Sequence, residues 1–482
     1  MKRLLILTGI LAALCLPLAA QNMNPQAAPQ LAQNAMARER WDEAARWWQV
    51  VLEQRDWPYT FPRENALLSQ STCLQRLSRW EVAHDLLLAY LREHPIQSAS
   101  TVKMTGHLAA IAYGKEGEAG LDRLLDHIIG SPTHITQFTT FYLNANADMG
   151  GPYPLDGAIT RFLRAHPVSP AAQTLRAAQL GLLNAGGDCQ EAWNRAQQWY
   201  MDGVGTAADV NLIRALCDTS ARVGAPDNAV QLLTQLMPVT PDPGKALPPL
   251  LAQYRTQAEK MAGRRTQIEQ VLPAALDDAA GTTEKDRVVI AQLSGGVPGA
   301  VYRVAATLQD YLAAHPDHPR RQEVILTMAR QLSLSGDHKA AIDLAQPLLP
   351  AAAGTREETG VALFLAEEHA RRGDFRGAGD LLLKETSKEL ADNVNMKTFV
   401  LRYYRRAGAA QEAAAVLTGL GPNPPAHPTV IDTAYWLAAI ALDAGKAQEV
   451  KPWCDLLQRI APNDIRTATV RALLMELQNR PK

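Results

Sequence analysis

The sequence predicts an all-α chain, a solenoid of about twelve helix-turn-helix units placed behind a short N-terminal address segment. Three observations predict it. First, a turn-forming residue followed five places later by a small apolar one recurs: Gly114 with Ala119, Gly187 with Ala192, Gly224 with Ala229, Gly336 with Ala341, Gly373 with Ala378, Gly408 with Ala413, and more loosely Gly445 with Val450. With weaker copies near Glu39, Gly150, Gly263 and Gly299, and one at Ser78, the starts stay 35 to 39 residues apart. Second, prolines close several units at positions 95, 167, 241, 316, 425 and 462. Third, alanine and leucine dominate while β-branched runs are short, which favours helix over strand.

One unit shows the logic. In "SRWEVAHDLLLAYLREHP" (78–95), Ala83, Leu86, Leu87, Tyr90 and Leu91 repeat with helical spacing, so they share one face. Pro95 cannot continue the helix and turns His94 away from helical angles. A lone amphipathic helix leaves its stripe wet and needs a neighbour. "VALFLAEEHARR" before Gly373 and "RGAGDLLLKE" after it supply that pair, with glycine at the sharp turn. The small residue five places on lets the second helix approach the first.

Taken in order, residues 1–20 read as a signal peptide: Lys2 and Arg3, an apolar run from Leu4, then "PLAA", with cleavage expected before Gln21. A retained anchor or lipidation at Cys15 are the alternatives that would tether the chain; Leu14 stands where lipidation wants a small residue. Residues 21–35 form a polar lead-in, 36–238 an N-terminal array, and 239–482 a C-terminal array ending in a capping helix. The proline-rich "PVTPDPGKALPP" (238–249) is the internal break, either a hinge or a long loop. Trp48 and Trp199 fall at core positions of second helices, Trp41 and Trp80 at turns.

The pattern resembles the tetratricopeptide repeat over roughly residues 26–480, carried by the pairs above, the aromatics Trp41, Trp80 and Phe375, and the closing prolines. The first helices of most units lack that family's tryptophan. The resemblance implies a right-handed superhelix whose first helices line a concave groove that holds peptide segments. Counting back from the turns, Asn144, Arg330, Glu367, Arg402 and Tyr435 should face that groove. "VLRYYRRAG" (400–408) adds Arg405 and Arg406, residue types favoured where carboxylates are gripped. The alternative is an ordinary basic helix C-terminus.

Chemistry is hard to find. None of the eleven histidines is followed by Glu, so no His-Glu-x-x-His metal helix exists. No serine sits in Gly-x-Ser-x-Gly, and "PDPGK" lacks the upstream glycine of a phosphate loop. His315 and His318 lie in a proline loop without a ligand cluster. The adjacent acids Glu357–Glu358, Glu367–Glu368 and Asp277–Asp278 diverge on a helix. No cofactor or metal is expected.

The chain carries 48 basic and 49 acidic residues; without Lys2 and Arg3 it has 46 basic, hence a small net negative charge and no case for nucleic acid. Of the four remaining cysteines, Cys189 and Cys217 are the pair placed to form a disulfide; buried free thiols are the other reading. The expectation is an exported, non-enzymatic scaffold of a bacterial envelope, periplasmic or extracellular, binding an unidentified protein or peptide. The competing readings are an envelope enzyme or regulatory subunit acting on cell-wall or exported polysaccharide, and a self-associating structural solenoid.

Overall fold

The computed structural model describes residues 25–77, 79–94, 99–116, 119–122, 155–167, 169, 171–201, 210–237, 246–278 and 280–479. Every regular element among them is helical. Hairpin α1 (Ala28–Ala37) and α2 (Trp41–Leu52) is followed by α3 (Arg63–Arg76) and α4 (Trp80–Glu93). Then come α5 (Ala99–Glu116), α6 (Leu155–Ala165), and the hairpins α7 (Ala172–Ala185) with α8 (Cys189–Met201) and α9 (Val210–Arg222) with α10 (Pro226–Leu236). The long α11 (Leu247–Asp277) leads to α12 (Thr283–Ser294) with α13 (Ala300–Ala314) and α14 (Arg321–Leu334) with α15 (His338–Ala345). The short α16 (Leu348–Ala352) precedes α17 (Glu358–Arg371) with α18 (Phe375–Lys384), and the short α19 (Lys388–Asp392) precedes α20 (Val394–Arg406) with α21 (Ala410–Thr418). Hairpin α22 (Pro428–Asp443) with α23 (Ala447–Ile460) and the last helix α24 (Ile465–Asn479) complete the array.

The turns are one device repeated. Gly187, Gly224, Gly299, Gly336, Gly373, Gly408 and Gly445 all have φ between 67° and 85°, and Glu39 does the same at 56°, the one non-glycine to do so among the described residues. After most of these turns, the next N–H reaches back to the carbonyl five residues earlier: Arg40 to Ala35, Asp188 to Leu183, Asp337 to Leu332, Asp374 to His369, Lys446 to Ala441, all at 2.8–3.0 Å. This is the bond that satisfies the orphan carbonyls at a helix C-terminus, and it needs a left-handed residue at the corner. Five places after the turn, Ala44, Ala192, Ala229, Ala341, Ala378 and Ala413 are essentially sealed from solvent. A bulkier side chain there would force the two helices apart, at about 1–3 kcal/mol.

Two expected turns are absent. Gly114 lies inside α5 and Gly263 inside the 31-residue α11. A Cβ on Gly263 would meet nothing within 4 Å, so its smallness is not used for packing. Glycine permits a turn but does not compel one. Flanked by helix formers, it continues the helix at a cost of about 1 kcal/mol relative to alanine. The turn expected at Gly150 lies outside the described residues. Pro248 and Pro249 sit in the first turn of α11, where their missing N–H groups are harmless.

Neighbouring units are stapled by side chains one repeat apart. Tyr302 donates to Asp337 (2.5 Å), Tyr311 to Asp277 (2.5 Å), Asn184 to Thr219 (3.0 Å) and Arg320 to Asp286 (2.6 Å). Such bonds fix the rotation from unit to unit. Side-chain caps start two of the second helices, α15 at Asp337 and α18 at Asp374. Asp374 accepts from Gly377 N (2.8 Å) and His369 Nδ1 (3.1 Å). Burial opposes its ionisation, but the hydrogen bonds from His369 and Gly377 outweigh that, so its carboxyl is held below the usual range. The stability it adds is therefore fully present above the unfolded-state pKa and is lost as pH falls through the lower folded value. Asp374→Ala should cost about 1 kcal/mol in denaturant titrations at neutral pH, and the difference from wild type should vanish in strong acid.

The array does not run away from itself. The Gly224 turn touches the Gly299 turn, the Gly187 turn touches His338 and Lys339, and Gly336 lies beside Arg222. Farther out, the turn at Glu39 and Arg79 meet the helices that end near Gly408 and Gly445. The inner contacts nest around α11, while at the outer ends the Glu39 corner meets the end of α20 and Arg79 the end of α22. So a first arm, the described residues between 25 and 236, lies against a second, residues 283–479. One apolar cluster runs from Ala28, Trp48 and Leu74 into Tyr404, Trp436 and Leu457.

Candidate functional site

Glycine lets the arms meet backbone to backbone. A Cβ on Gly299 would lie 2.3 Å from Gly224 N, and one on Gly224 2.6 Å from Gly299 O. At the next level Lys339 N donates to Gly187 O (2.8 Å), His338 packs on the Gly187 backbone, and Arg372 pairs with Asp188 (3.5 Å). At Gly224 and Gly299 backbone meets backbone, and at Gly187 the His338 side chain packs on it.

A groove of about 870 Å³ opens between the arms. One wall is α8, which presents Gln190, Glu191 and Asn194. The opposite wall is the outer side of α13 to α15, with Ala306, Ala313, Ala340, Ile325, Leu344 and, beyond α15, Pro347. So one side offers amides and a carboxylate, and the other an apolar surface with four alanines that also carries Gln309, Arg321, Lys339 and Asp343. The volume equals roughly two turns of helix, taking a cylinder ~10 Å wide and ~11 Å long. Tyr302, which lines the groove, leads into a buried polar layer. Asp337 accepts from Tyr302 and from Ala340 N (2.9 Å). Glu368, 1% exposed in its side chain, takes Ser333 Oγ (2.9 Å), Arg371 (3.1 Å) and His338 Nδ1 (2.9 Å). Burial, then the Asp337 carboxylate, raises the Tyr302 phenol far above its ordinary value, so it remains a fixed donor. These groups brace the wall rather than face an incoming reactant. Among the described residues no group of three His, Cys, Asp or Glu side chains converges to hold a metal.

The residues singled out by the repeat spacing fall elsewhere. Arg330, Glu367 and Arg402 are exposed on the successive first helices α14, α17 and α20. Glu367 is engaged by Arg371 (2.8 Å). Arg405 is buried, 4% exposed, between Glu39 (2.5 Å) and Asp432 (3.3 Å). Arg406 lies over the Phe375 ring at 4.0 Å. Tyr435, expected at an open groove, is buried and donates to Asp42 (2.7 Å). Burial and the Asp42 charge push its phenol well up. The reason is the first arm, which lies against this stretch. Asn144 lies outside the described residues.

Cys189 and Cys217 are free, buried thiols; the first faces the Asn184 carbonyl at 3.8 Å. Burial, then the neighbouring Asp218, pushes Cys217 up to about 12, and burial also raises Cys189. At pH 8 neither should react measurably with a thiol-specific disulfide reagent until denaturant is added. Rapid titration of either thiol in the native chain would contradict this burial.

The groove between α8 and α13–α15 was not visible in the repeat pattern, because the spacing assigns binding to first helices and these walls are mainly second helices. Its one sequence trace is alanine at outward positions of α13 and α15. Trp48 is core, as its position in α2 requires, and Trp41 and Trp80 begin helices at the turns.

The fold and its repeated corner define an α-solenoid of tetratricopeptide-like hairpins. No family profile matches the chain, and no curated protein does. Among solved structures it is similar to the APC/C hetero-tetramer Cut9–Hcn1, at 13% identity and a TM-score of 0.20, covering 94% of this chain and 96% of that one. It is also similar to Naa15/Naa10 bound to HypK-THB, at 11% identity and a TM-score of 0.24, covering 95% and 79%. At such values the likeness carries no argument, and the class rests on the chain's own helices and turns.

Proposed function

We propose that this chain is a scaffold that acts by binding, holding a segment of another protein in the groove between α8 and α13–α15, and that it does so after export to a bacterial cell envelope. The observation that carries the reading is the groove itself: a polar wall from one arm faces an apolar surface with four alanines from the other across a space the size of a short helix. Alanine lets a partner backbone come close, and the facing amides of Gln190 and Asn194 pair with polar groups on its other side. The export part rests on the N-terminal sequence alone. Among the described residues no helix is long and apolar enough to cross a membrane.

The test is site-specific photocrosslinking in intact cells. A photoreactive residue at Ala306 should give a defined adduct with another protein. One at Gln253, exposed on α11, should not. Ala306→Trp should abolish capture in a chain that keeps its helicity. Equal labelling from both sites would contradict the reading. A second reading, self-association, draws on Ile465 (77% exposed) and Met475 (48%) on α24; adducts solely with the chain itself would favour it.

A further inference from the structure

The contact between the outer ends of the two arms differs from the glycine contacts around α11. It joins long polar side chains to the apolar cluster that runs from the first arm into Tyr404 and Trp436. Glu39, at the left-handed turn before α2, takes Arg405 of α20. Asp42, three residues on, accepts from Tyr435 of α22. Arg76, at the end of α3, donates to the Arg406 carbonyl, and its own carbonyl accepts from Trp436 Nε1 (3.1 Å). Arg79 faces Asp443 at 3.7 Å. Among the buried polar atoms at this contact, Trp41 Nε1 and Arg405 Nε make no hydrogen bond. A buried donor left unsatisfied costs about 1–3 kcal/mol, so this closure is less favourable than its count of ion pairs suggests.

The first arm also sits where repeat spacing places a binding surface. Tyr435 is marked by that spacing and Arg405 by its residue type on the neighbouring first helix, and the first repeat of the same chain occupies both. The occupant's chemistry is specific: two carboxylates three residues apart across a left-handed corner, Glu39 and Asp42, with Trp41 between, set against Arg405 and Tyr435, beside the Arg79–Asp443 pair.

We propose that residues 25–94 are an intramolecular occupant of an acid-accepting surface on α20 and α22, and that an acidic amphipathic segment of another protein displaces them by presenting carboxylates with the same spacing. Opening requires no change within the hairpins, because the bonds that hold each turn are local. This surface is separate from the groove beside α8, so the two proposals stand or fall independently.

The test uses the full-length mature chain and a labelled peptide of residues 36–54 as the probe. Spin labels at Gln33 on α1 and Gln448 on α23, both exposed, report the separation of the arm ends. The native thiols among the described residues are buried and do not compete for labelling. The wild-type chain should give one narrow distance and bind the peptide weakly. A chain with Glu39→Arg and Asp42→Arg should give a longer, broader distribution and bind the peptide at least ten-fold more tightly, with unchanged helicity. In the Glu39→Arg background, Arg405→Glu should restore the narrow distance by reversing the pair. The proposal is overturned if the double variant keeps the wild-type distance, if its peptide affinity equals wild type, or if it loses helicity and the reversed pair fails to recover both helicity and distance.

Discussion

Gly299→Ala is expected to be among the most damaging single-methyl additions in the chain. The residue has φ 76°, where an L side chain meets its own backbone at about 1–2 kcal/mol. Its new Cβ would also stand 2.3 Å from Gly224 N, 2.5 Å from Gly224 Cα and 2.6 Å from Ala221 O. These are backbone atoms, so no rotamer change relieves the overlap, and overpacking adds about 1–3 kcal/mol. The sum, about 2–5 kcal/mol, is a large part of the net stability of an ordinary domain. Gly445→Ala is the matched control. It has φ 69° but nothing within 4 Å of the added methyl, so only the backbone part applies, about 1–2 kcal/mol. Denaturant titration of both variants separates the terms. Equal losses would mean that the two arms do not touch at Gly224 and Gly299.

The second large effect belongs to Arg405. Its guanidinium joins Glu39 of the first arm to Asp432 of the second, and Asp432 is shared with Arg466. Removing one partner from a buried ion pair leaves the others uncompensated, at about 3–5 kcal/mol. Glu39 and Asp432 are each about one-fifth exposed, so Arg405→Ala should fall near the lower end, about 3 kcal/mol. Arg402, three residues earlier on the same helix, is exposed, and Arg402→Ala should stay within about 0.5 kcal/mol. Glu39→Ala combined with Arg405→Ala should cost less than the sum of the single changes, since the pair is lost only once. Additive losses would show that the ion pair across the arms does not form.

That contrast between two neighbouring arginines marks what the sequence makes legible. The hairpin corners were readable because a left-handed residue closing a helix is nearly always glycine, and because the alanine five places on answers a packing demand within the same unit. Glu39 held its corner without glycine, and its place in the period was the only sign. Gly263 misled for the opposite reason: a permissive residue inside a run of helix formers keeps the helix going. The pairing of the arms leaves no periodic trace. Gly224 meets Gly299, and Glu39 meets Arg405, across separations that no local pattern encodes. Without that pairing, Arg402 and Arg405 look alike, Tyr435 looks like a groove residue, and the groove beside α8 does not exist at all.

The measurement that tests the two-arm architecture most directly is amide hydrogen exchange at Lys339. This N–H lies in the first turn of α15, where a helix has no carbonyl of its own to offer. Asp337 caps its neighbour Ala340, and the acceptor for Lys339 is Gly187 O of the other arm at 2.8 Å. The architecture predicts slow exchange at Lys339 in the native chain, and fast exchange when Gly187→Val, which would set a side chain against His338, holds the arms apart. Exchange at Lys339 as fast as at an uncapped helix start in the native chain would contradict the pairing of the arms.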